Sequence, residues 1–297
     1  MVSFKNLFIA TRPWSFVMTA ISATGAAAYA YYLFHAFNFI LYILTLMGLI
    51  LVHAAANLLN DYYDTMRKVD VPGAPTTLYR PHPIISGIMT PEQTRNYALI
   101  FMGIGFAIAL VLSVIREFLV IILALAGLIL LLTYSGPPGL KYRGMGEIGV
   151  VLSWGVFMWL GTFYVISGRL ALEPVLAGVP TGLLIAAVLT ANNLRDIEFD
   201  LKRGAKTFVA SIGREKGLKF YAFEIAAAYI IVVVLISLRM LPATTALVFL
   251  SLPQAVKLVR TFAKRIPEAA DPMTAQLVQN FGIIYIIGIL LGDLIKL

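Results

Sequence analysis

The chain has 297 residues, 60% hydrophobic and 13% charged, with a formal net charge of +8 and a mean hydropathy of +0.88. Soluble domains carry roughly 25% charged residues, so this composition excludes a water-covered globule and implies one polytopic unit within a membrane. The absence of cysteine excludes a disulfide framework, a thiolate metal site and a cysteine nucleophile.

Nine apolar segments follow in order, at about 14–34, 39–60, 97–115, 118–135, 147–167, 174–194, 219–238, 241–258 and 278–295. Most approach the roughly 20 residues a spanning helix needs, which predicts an all-α bundle of nine transmembrane helices. The first is too long for a removable signal peptide and reads as a membrane helix that also targets the chain. In the second, only Thr45 and His53 are clearly polar between Phe39 and Ala56, and then it ends in "NLLNDYYD". The loop after it, expected at about 61–96, carries Arg80 and His82. The connection between the fourth and fifth segments reads "GPPGLKYRG", with Lys141 and Arg143. The sixth ends in "NLRDIEFD" and leads into a second long loop, about 197–218, with Lys202 and Lys206.

Alternating nine spans puts 19 of the 23 basic residues on the N-terminal side. Only Arg116, Arg169, Arg239 and Lys296 fall on the other. Positive-inside bias makes the first side cytoplasmic, which predicts a multi-pass protein of the cell membrane with both long loops in the cytoplasm.

The two polar endings match. Asn57, Leu58, Asn60 and Asp64 stand 136 positions before Asn193, Leu194, Asp196 and Asp200, at the ends of the second and sixth segments. A pseudo-repeat of helices 1–4 and 5–8 within a single unit, 1–297, is the simplest account. On a helix, residues three, four and seven apart share a face. Asn57, Asn60, Asp61 and Asp64 form one stripe and Asn193, Asp196 and Asp200 another, while Glu198 points elsewhere. Facing each other across a central cavity, such stripes would gather carboxylates that repel unless a cation neutralises them. Hard oxygen donors in this number suit magnesium with a substrate phosphate. Arg80, His82, Lys141, Arg143, Arg195, Lys202 and Lys206 supply the cations a phosphate needs. Acid and base around one apolar cavity imply a diphosphate with a greasy tail. By contrast, His53 reads as a satisfied packing histidine, Glu224 and Asp293 as interfacial groups, and Tyr31, Tyr32 and Tyr164 as an aromatic belt.

At these motifs the chain resembles the UbiA-type intramembrane aromatic prenyltransferases. "NDYYDTMRKVD" is similar to their first aspartate motif and "NNLRDIEFDLKRGAKT" to their second. "TRPWSF", "RPHPIISGIMTP" and "TYSGPPGLKYRGMGEIGVVLSWG" resemble the dihydroxynaphthoate polyprenyltransferases of menaquinone synthesis. The resemblance implies a helical bundle around a laterally open cavity, with Mg2+ joining the two motifs to an isoprenyl diphosphate. It places Asp61, Asp64, Asp70, Asp196 and Asp200 on the metal, with Asn57, Asn60 and Asn193 in support. Asp64, Asp200, Lys141 and Tyr142 would serve the reacting centre. Arg12, Arg80, Tyr134, Arg195, Lys202 and Lys206 complete the expected substrate site. Lys68 stands where that subfamily usually has glycine, and Glu147 where aspartate is usual.

No nucleophilic residue is required by such chemistry, and Tyr62, Tyr63, Tyr134 and Tyr142 are candidates to face an allylic cation. The expected partners are a polyprenyl diphosphate, an aromatic acceptor and membrane lipid, with no nucleic acid and no obligatory protein partner. The alternatives are other acceptors (hydroxybenzoate, homogentisate, a glycerol phosphate of ether lipids) or a cation or metabolite transporter. Transporters bind near the midplane on broken helices, whereas these acids cluster at one face.

Overall fold

A computed structural model describes residues 2–295, with every side chain in that range except those of Leu78 and Tyr79; Lys296 lies outside it. All helices below belong to that range. A short α1 (Phe4–Ala10), with Ser3 as its N-cap, leads through a 3-10 turn at Pro13–Ser15 into α2 (Phe16–Phe34). There follow α3 (Phe39–Met66), the short α4 (Pro75–Tyr79), α5 (Pro91–Arg116) and α6 (Leu119–Ser135). The rod Gly146–Ser167 consists of α7 (Gly146–Val150), a π-helical stretch Val151–Phe157 and α8 (Met158–Ser167). The second half contains α9 (Glu173–Arg203), the short α10 (Phe208–Ile212) and α11 (Arg214–Ser237). A 3-10 stretch, Ala243–Ser251, runs into α12 (Leu252–Lys264), and α13 (Ala270–Ile295) closes the bundle.

Seven stretches are long and apolar enough to cross a bilayer: α3, α5, Gly146–Ser167, α9, α11, Ala243–Lys264 and α13. The other two expected segments are helical but fall outside that set. The α6 helix has only 17 residues, and Thr, Ser, Gly and Tyr in α2 dilute its hydropathy.

Hydropathy misplaced several helix ends, because a polar turn at the membrane surface is invisible to it. The α3 helix carries on to Met66, so the loop expected from 61 begins at 67 and ends at 90. A capping box between Thr90 and Gln93, with Pro91 at the first helical position, starts α5 six residues before the apolar run. Likewise α9 extends through both of its aspartates to Arg203, where Gly204 at φ 72° ends it, and the second loop shrinks to 204–213.

The π-helical stretch packs on α9 through glycines. A Cβ on Gly178 would lie 2.1 Å from Gly155 O, and one on Gly182 would lie 2.7 Å from Gly155 Cα. Small residues four apart let two backbones touch, which is how membrane helices gain dispersion without a solvent drive. Beside this contact Trp159, Tyr29, Phe163 and Tyr285 are buried together. Their polar tips are satisfied: Trp159 Nε1 donates to Thr181 Oγ1 (3.0 Å), Tyr29 to Met240 O (2.8 Å) and Tyr285 to Ala177 O (2.9 Å). Two surface expectations are corrected by this core. Tyr164 is buried rather than in an aromatic belt, and Glu224 is 1% exposed, packed inside against α9 rather than at an interface.

Candidate active site

A cavity of about 830 Å3 opens in the bundle, lined by α2, α3, α5, α6, the Gly146–Ser167 rod and α9, with the first turns of α13 at its edge. From Asp64 to Thr45 it follows α3 for nineteen residues, about 28 Å at the helical rise. The polar groups gather at one end. Arg12, Asn57, Asn60, Asp64, Asp70, Arg80, Tyr134, Lys141, Tyr142, Asn193, Asp196 and Asp200 all line it, so most expected site residues are brought together from remote parts of the chain.

Lys141 is the centre of the first half-site. Its Nζ donates to Asp64 Oδ2 (2.6 Å) and to Asn60 Oδ1 (2.7 Å), and Asn60 Nδ2 donates back to Asp64 Oδ2 (3.0 Å). Tyr142 hydroxyl donates to the other Asp64 oxygen. The 3-10 turn Leu140–Tyr142 presents both side chains, with the Arg67 guanidinium 4.2 Å over the Tyr142 ring. Burial, the Asp64 charge and the hydrogen bond to Asp64 all push the Tyr142 phenol well up, so it remains a neutral donor.

The chain then doubles back. Lys68 adopts φ 60°, and the backbone N–H groups of Val69 and Asp70 both donate to Asp64 O. Asp70 is thereby set beside Asp64. Its Oδ1 accepts from Thr76 (2.8 Å) and its Oδ2 pairs with His82 Nε2 (3.2 Å). His82 Nδ1 accepts from the Ile84 and Ile85 amides, so its proton sits on Nε2 and is donated to Asp70. Burial and the Asp61 charge push the Asp70 carboxyl up, but the His82 hydrogen bond and the Lys141 charge outweigh them and hold the group below its usual range.

Asp61 departs from expectation. It is fully buried, does not line the cavity, and accepts from Arg80 (2.7 and 3.3 Å) and from Arg12. Asp61, Asp70 and His82 are close enough to share a cation, but two guanidinium groups already neutralise Asp61. In this structure it anchors both arginines. Arg12 and Arg80 both face the cavity, and Arg12 Nε is buried without a hydrogen-bond partner among the described residues.

In the second half-site Arg195 clamps Asp196 through two bonds (2.7 and 2.8 Å) and also binds Asn192 and Asp271. It lies outside the cavity lining, which corrects its expected place against substrate. Asp200 is different. Among the described residues no side chain hydrogen-bonds its carboxylate, which lies within electrostatic reach of Asp196, Lys141, Asp64 and Asp70. Asn193 donates to Glu147 Oε1 (2.9 Å), tying the rod to α9, and Asn57 holds the N-terminal turn through Thr11 O and Ser15 Oγ. Lys202 and Lys206 are exposed and do not line the cavity; Lys206 pairs through its backbone with Arg143. Lys202 sits in the last turn of α9, and Lys206 follows the Gly204 stop in the loop beyond it.

Asp271 and Trp154 line the cavity outside the expected site set. Asp271 comes from the first turn of α13, which hydropathy starts at 278. Trp154 comes from the π-helical stretch and donates through Nε1 to Thr19 Oγ1 (3.2 Å). Thr19 in turn meets His53 Nδ1 (2.8 Å), and His53 Nε2 meets Ser15 (3.2 Å), so His53 is a satisfied packing residue.

The chemistry of this end fits a hard divalent cation. Asp64, Asp70, Asp196 and Asp200 converge with two amide oxygens nearby, one carboxylate lacks a partner, and the Lys141 ammonium already bridges Asp64 and Asn60.

The family model described as the UbiA prenyltransferase family matches residues 15–278. The chain is 28% identical over 287 residues to UbiA prenyltransferase domain-containing protein 1 of Xenopus tropicalis, covering 96% of this chain and 81% of that protein. It is 28% identical over 258 residues to the 1,4-dihydroxy-2-naphthoate octaprenyltransferase of Bacillus subtilis (strain 168), covering 83% and 80%. In fold it is similar to a UbiA homolog from Archaeoglobus fulgidus bound to GPP and Mg2+, with TM-score 0.68 and 18% identity over 97% of this chain and 98% of that one.

Proposed function

The chain belongs to the UbiA prenyltransferase family and is a prenyltransferase, and from that premise we propose that it transfers an isoprenyl group from a polyprenyl diphosphate to dihydroxynaphthoate in menaquinone synthesis. The observation that carries this reading is one apolar cavity with five carboxylates (Asp64, Asp70, Asp196, Asp200 and Asp271) and three cationic side chains at a single end. The resemblance of the loop motifs and the name of the Bacillus relative support the acceptor.

Asp64, Asp70, Asp196 and Asp200 would hold magnesium, and a homolog of similar fold from Archaeoglobus fulgidus is bound to GPP and Mg2+; the ion would supply Lewis-acid charge to a diphosphate. Lys141, Arg12 and Arg80 line the same end and meet the negative charge that grows on the leaving group. Asp61 fixes both guanidinium groups, so they are oriented before substrate arrives. The allylic carbon–oxygen bond breaks with its electron pair on diphosphate, and the cation-like carbon is taken by the electron-rich ring. A new carbon–carbon bond forms, and the naphthoate carboxyl leaves as carbon dioxide during overall turnover. Tyr134 and Tyr142 line the cavity and would face that carbon, and the apolar wall would exclude the water that quenches it.

The 19-to-4 partition of basic residues supports nine crossings with the N-terminus and the polar end cytoplasmic, in the cell membrane. Helices 1–4 and 5–8 are read as a pseudo-repeat, since α3 and α9 each deliver an acidic stripe to the cavity.

Product mass spectrometry of the purified protein, offered one long prenyl diphosphate and several acceptors, tests the proposal. Prenylated, decarboxylated naphthoate is the expected product. Prenylation of hydroxybenzoate or a glycerol phosphate with no naphthoate product would move the enzyme to another acceptor. Absence of any diphosphate release would leave no support for the donor.

A further inference from the structure

Glycine is among the least favourable residues inside a helix, and most helical glycines here are accounted for by close packing. A Cβ would meet Trp159 at 2.7 Å from Gly25, Val52 at 2.7 Å from Gly105 and Ile21 at 2.4 Å from Gly282. Gly127 in α6 and Gly161 in α8 are different: a Cβ on either would meet nothing within 4 Å, and both line the cavity. Gly103 is equally uncrowded, but it is exposed and does not line the cavity.

The two glycines stand at different depths. Ser135, which donates to Asn60 at the polar end (3.2 Å), is eight residues from Gly127, so Gly127 lies about 12 Å down α6. Gly146, whose Cβ would be 3.5 Å from that of Lys141, is fifteen residues from Gly161, which lies about 20 Å down once the shorter rise of a π-helical stretch is allowed for. With carbon–carbon bonds of about 1.5 Å, one extended isoprene unit spans about 5 Å. Gly127 therefore faces the tail just past its second unit and Gly161 just past its fourth.

We infer that Gly127 and Gly161 set the prenyl chain length this enzyme accepts, by leaving the bore open at two successive depths. The inference rests on the prenyl-donor reading above. A leucine at either position projects into the bore and halts a longer tail there, while a shorter tail fits above it.

The test compares kcat/KM for prenyl diphosphates of two, four and six units in wild type, Gly127→Leu and Gly161→Leu, each checked as monodisperse. Gly127→Leu should keep the two-unit donor and lose at least tenfold on the four- and six-unit donors. Gly161→Leu should keep two units and lose at least tenfold on six. Gly103→Leu, off the cavity, should leave the profile unchanged. Should a leucine variant fail to fold, alanine at the same site replaces it, with a shift of about twofold to threefold expected against the same donor. An equal loss at all lengths, an unchanged profile, or a shorter cut-off for Gly161 than for Gly127 overturns the inference. Wild-type protein that turns over none of the donors instead overturns the donor reading on which it rests.

Discussion

The Lys141 ammonium lies 2.6 Å from the Asp64 carboxylate, with Asn60 Oδ1 a further 2.7 Å contact of the same nitrogen. An organic cation thus stands among the acids proposed to hold magnesium, on the leaving-group side of the cavity. Lys141→Met should therefore raise KM for the prenyl diphosphate or lower kcat, by about tenfold to a hundredfold for a charge-assisted bond of roughly 1.5–3 kcal/mol. KM for the aromatic acid should move by much less. Steady-state kinetics with each substrate varied separately decide it, and a loss confined to the acceptor would place Lys141 on the other substrate.

Asp61 and Asp200 should fail in different ways when substituted. Asp61 is fully buried between two guanidinium groups, and removing one partner of a buried pair destabilises by about 3–5 kcal/mol. Asp61→Asn should lower the thermal midpoint in detergent along with activity. Asp200→Asn removes a carboxylate with no hydrogen-bond partner among the described side chains, so turnover should be lost with the midpoint unchanged or raised. Equal midpoints for the two variants would contradict the anchor role of Asp61.

Excess chelator should abolish turnover, and magnesium should restore it better than calcium, whose larger shell suits a compact diphosphate site less well. Full activity in chelator would contradict a metal at these carboxylates.

Lys68 occupies the left-handed region at φ 60°, just past the end of α3, where a β-carbon is unfavourable by about 1–2 kcal/mol. Lys68→Gly should hold or raise thermal stability and keep turnover within about twofold, since strain relief opposes the added freedom of the unfolded chain. Lys68→Val should reduce both. Melting curves and turnover of the pair check this.

For the proposed orientation, the cysteine-free chain permits single-cysteine labelling. Cysteines at Lys68 and Gly204 should react with an impermeant reagent from the cytoplasmic side alone. Labelling from opposite sides would break the alternation of spans.

Much of this site was legible because charge inside an apolar chain is conspicuous: the two acidic stripes and "GLKYRG" all reach the cavity through Asp64, Asp200 and Lys141. What escaped was finer than a stripe. Three residues turn a helix by about 300°, so Asp61 sits about 60° round from Asp64 and meets its two arginines although both fit an i, i+3, i+4, i+7 pattern. Helix ends escaped for another reason. Polar turns such as 91–96 and 197–203 are helical through capping and hydrogen bonding, which a hydropathy scan does not weigh.

The π-helical stretch Val151–Phe157 carries a consequence for how the rod keeps two unlike faces in phase. A π turn holds one more residue than an α turn, so it shifts the angular reading frame of everything after it. Trp154 faces the cavity within that stretch, and Trp159, five residues on, is buried against Tyr29. Deleting one residue there would let the rod relax to plain α-helix, and the spare residue of the π turn takes up most of the shift, so Trp159 and Gly161 keep their stations. The same deletion in an α-helical part of the bundle has no such slack and turns everything after it by about 100°. A single-residue gap in this stretch should therefore be better tolerated than one inside α3 or α9.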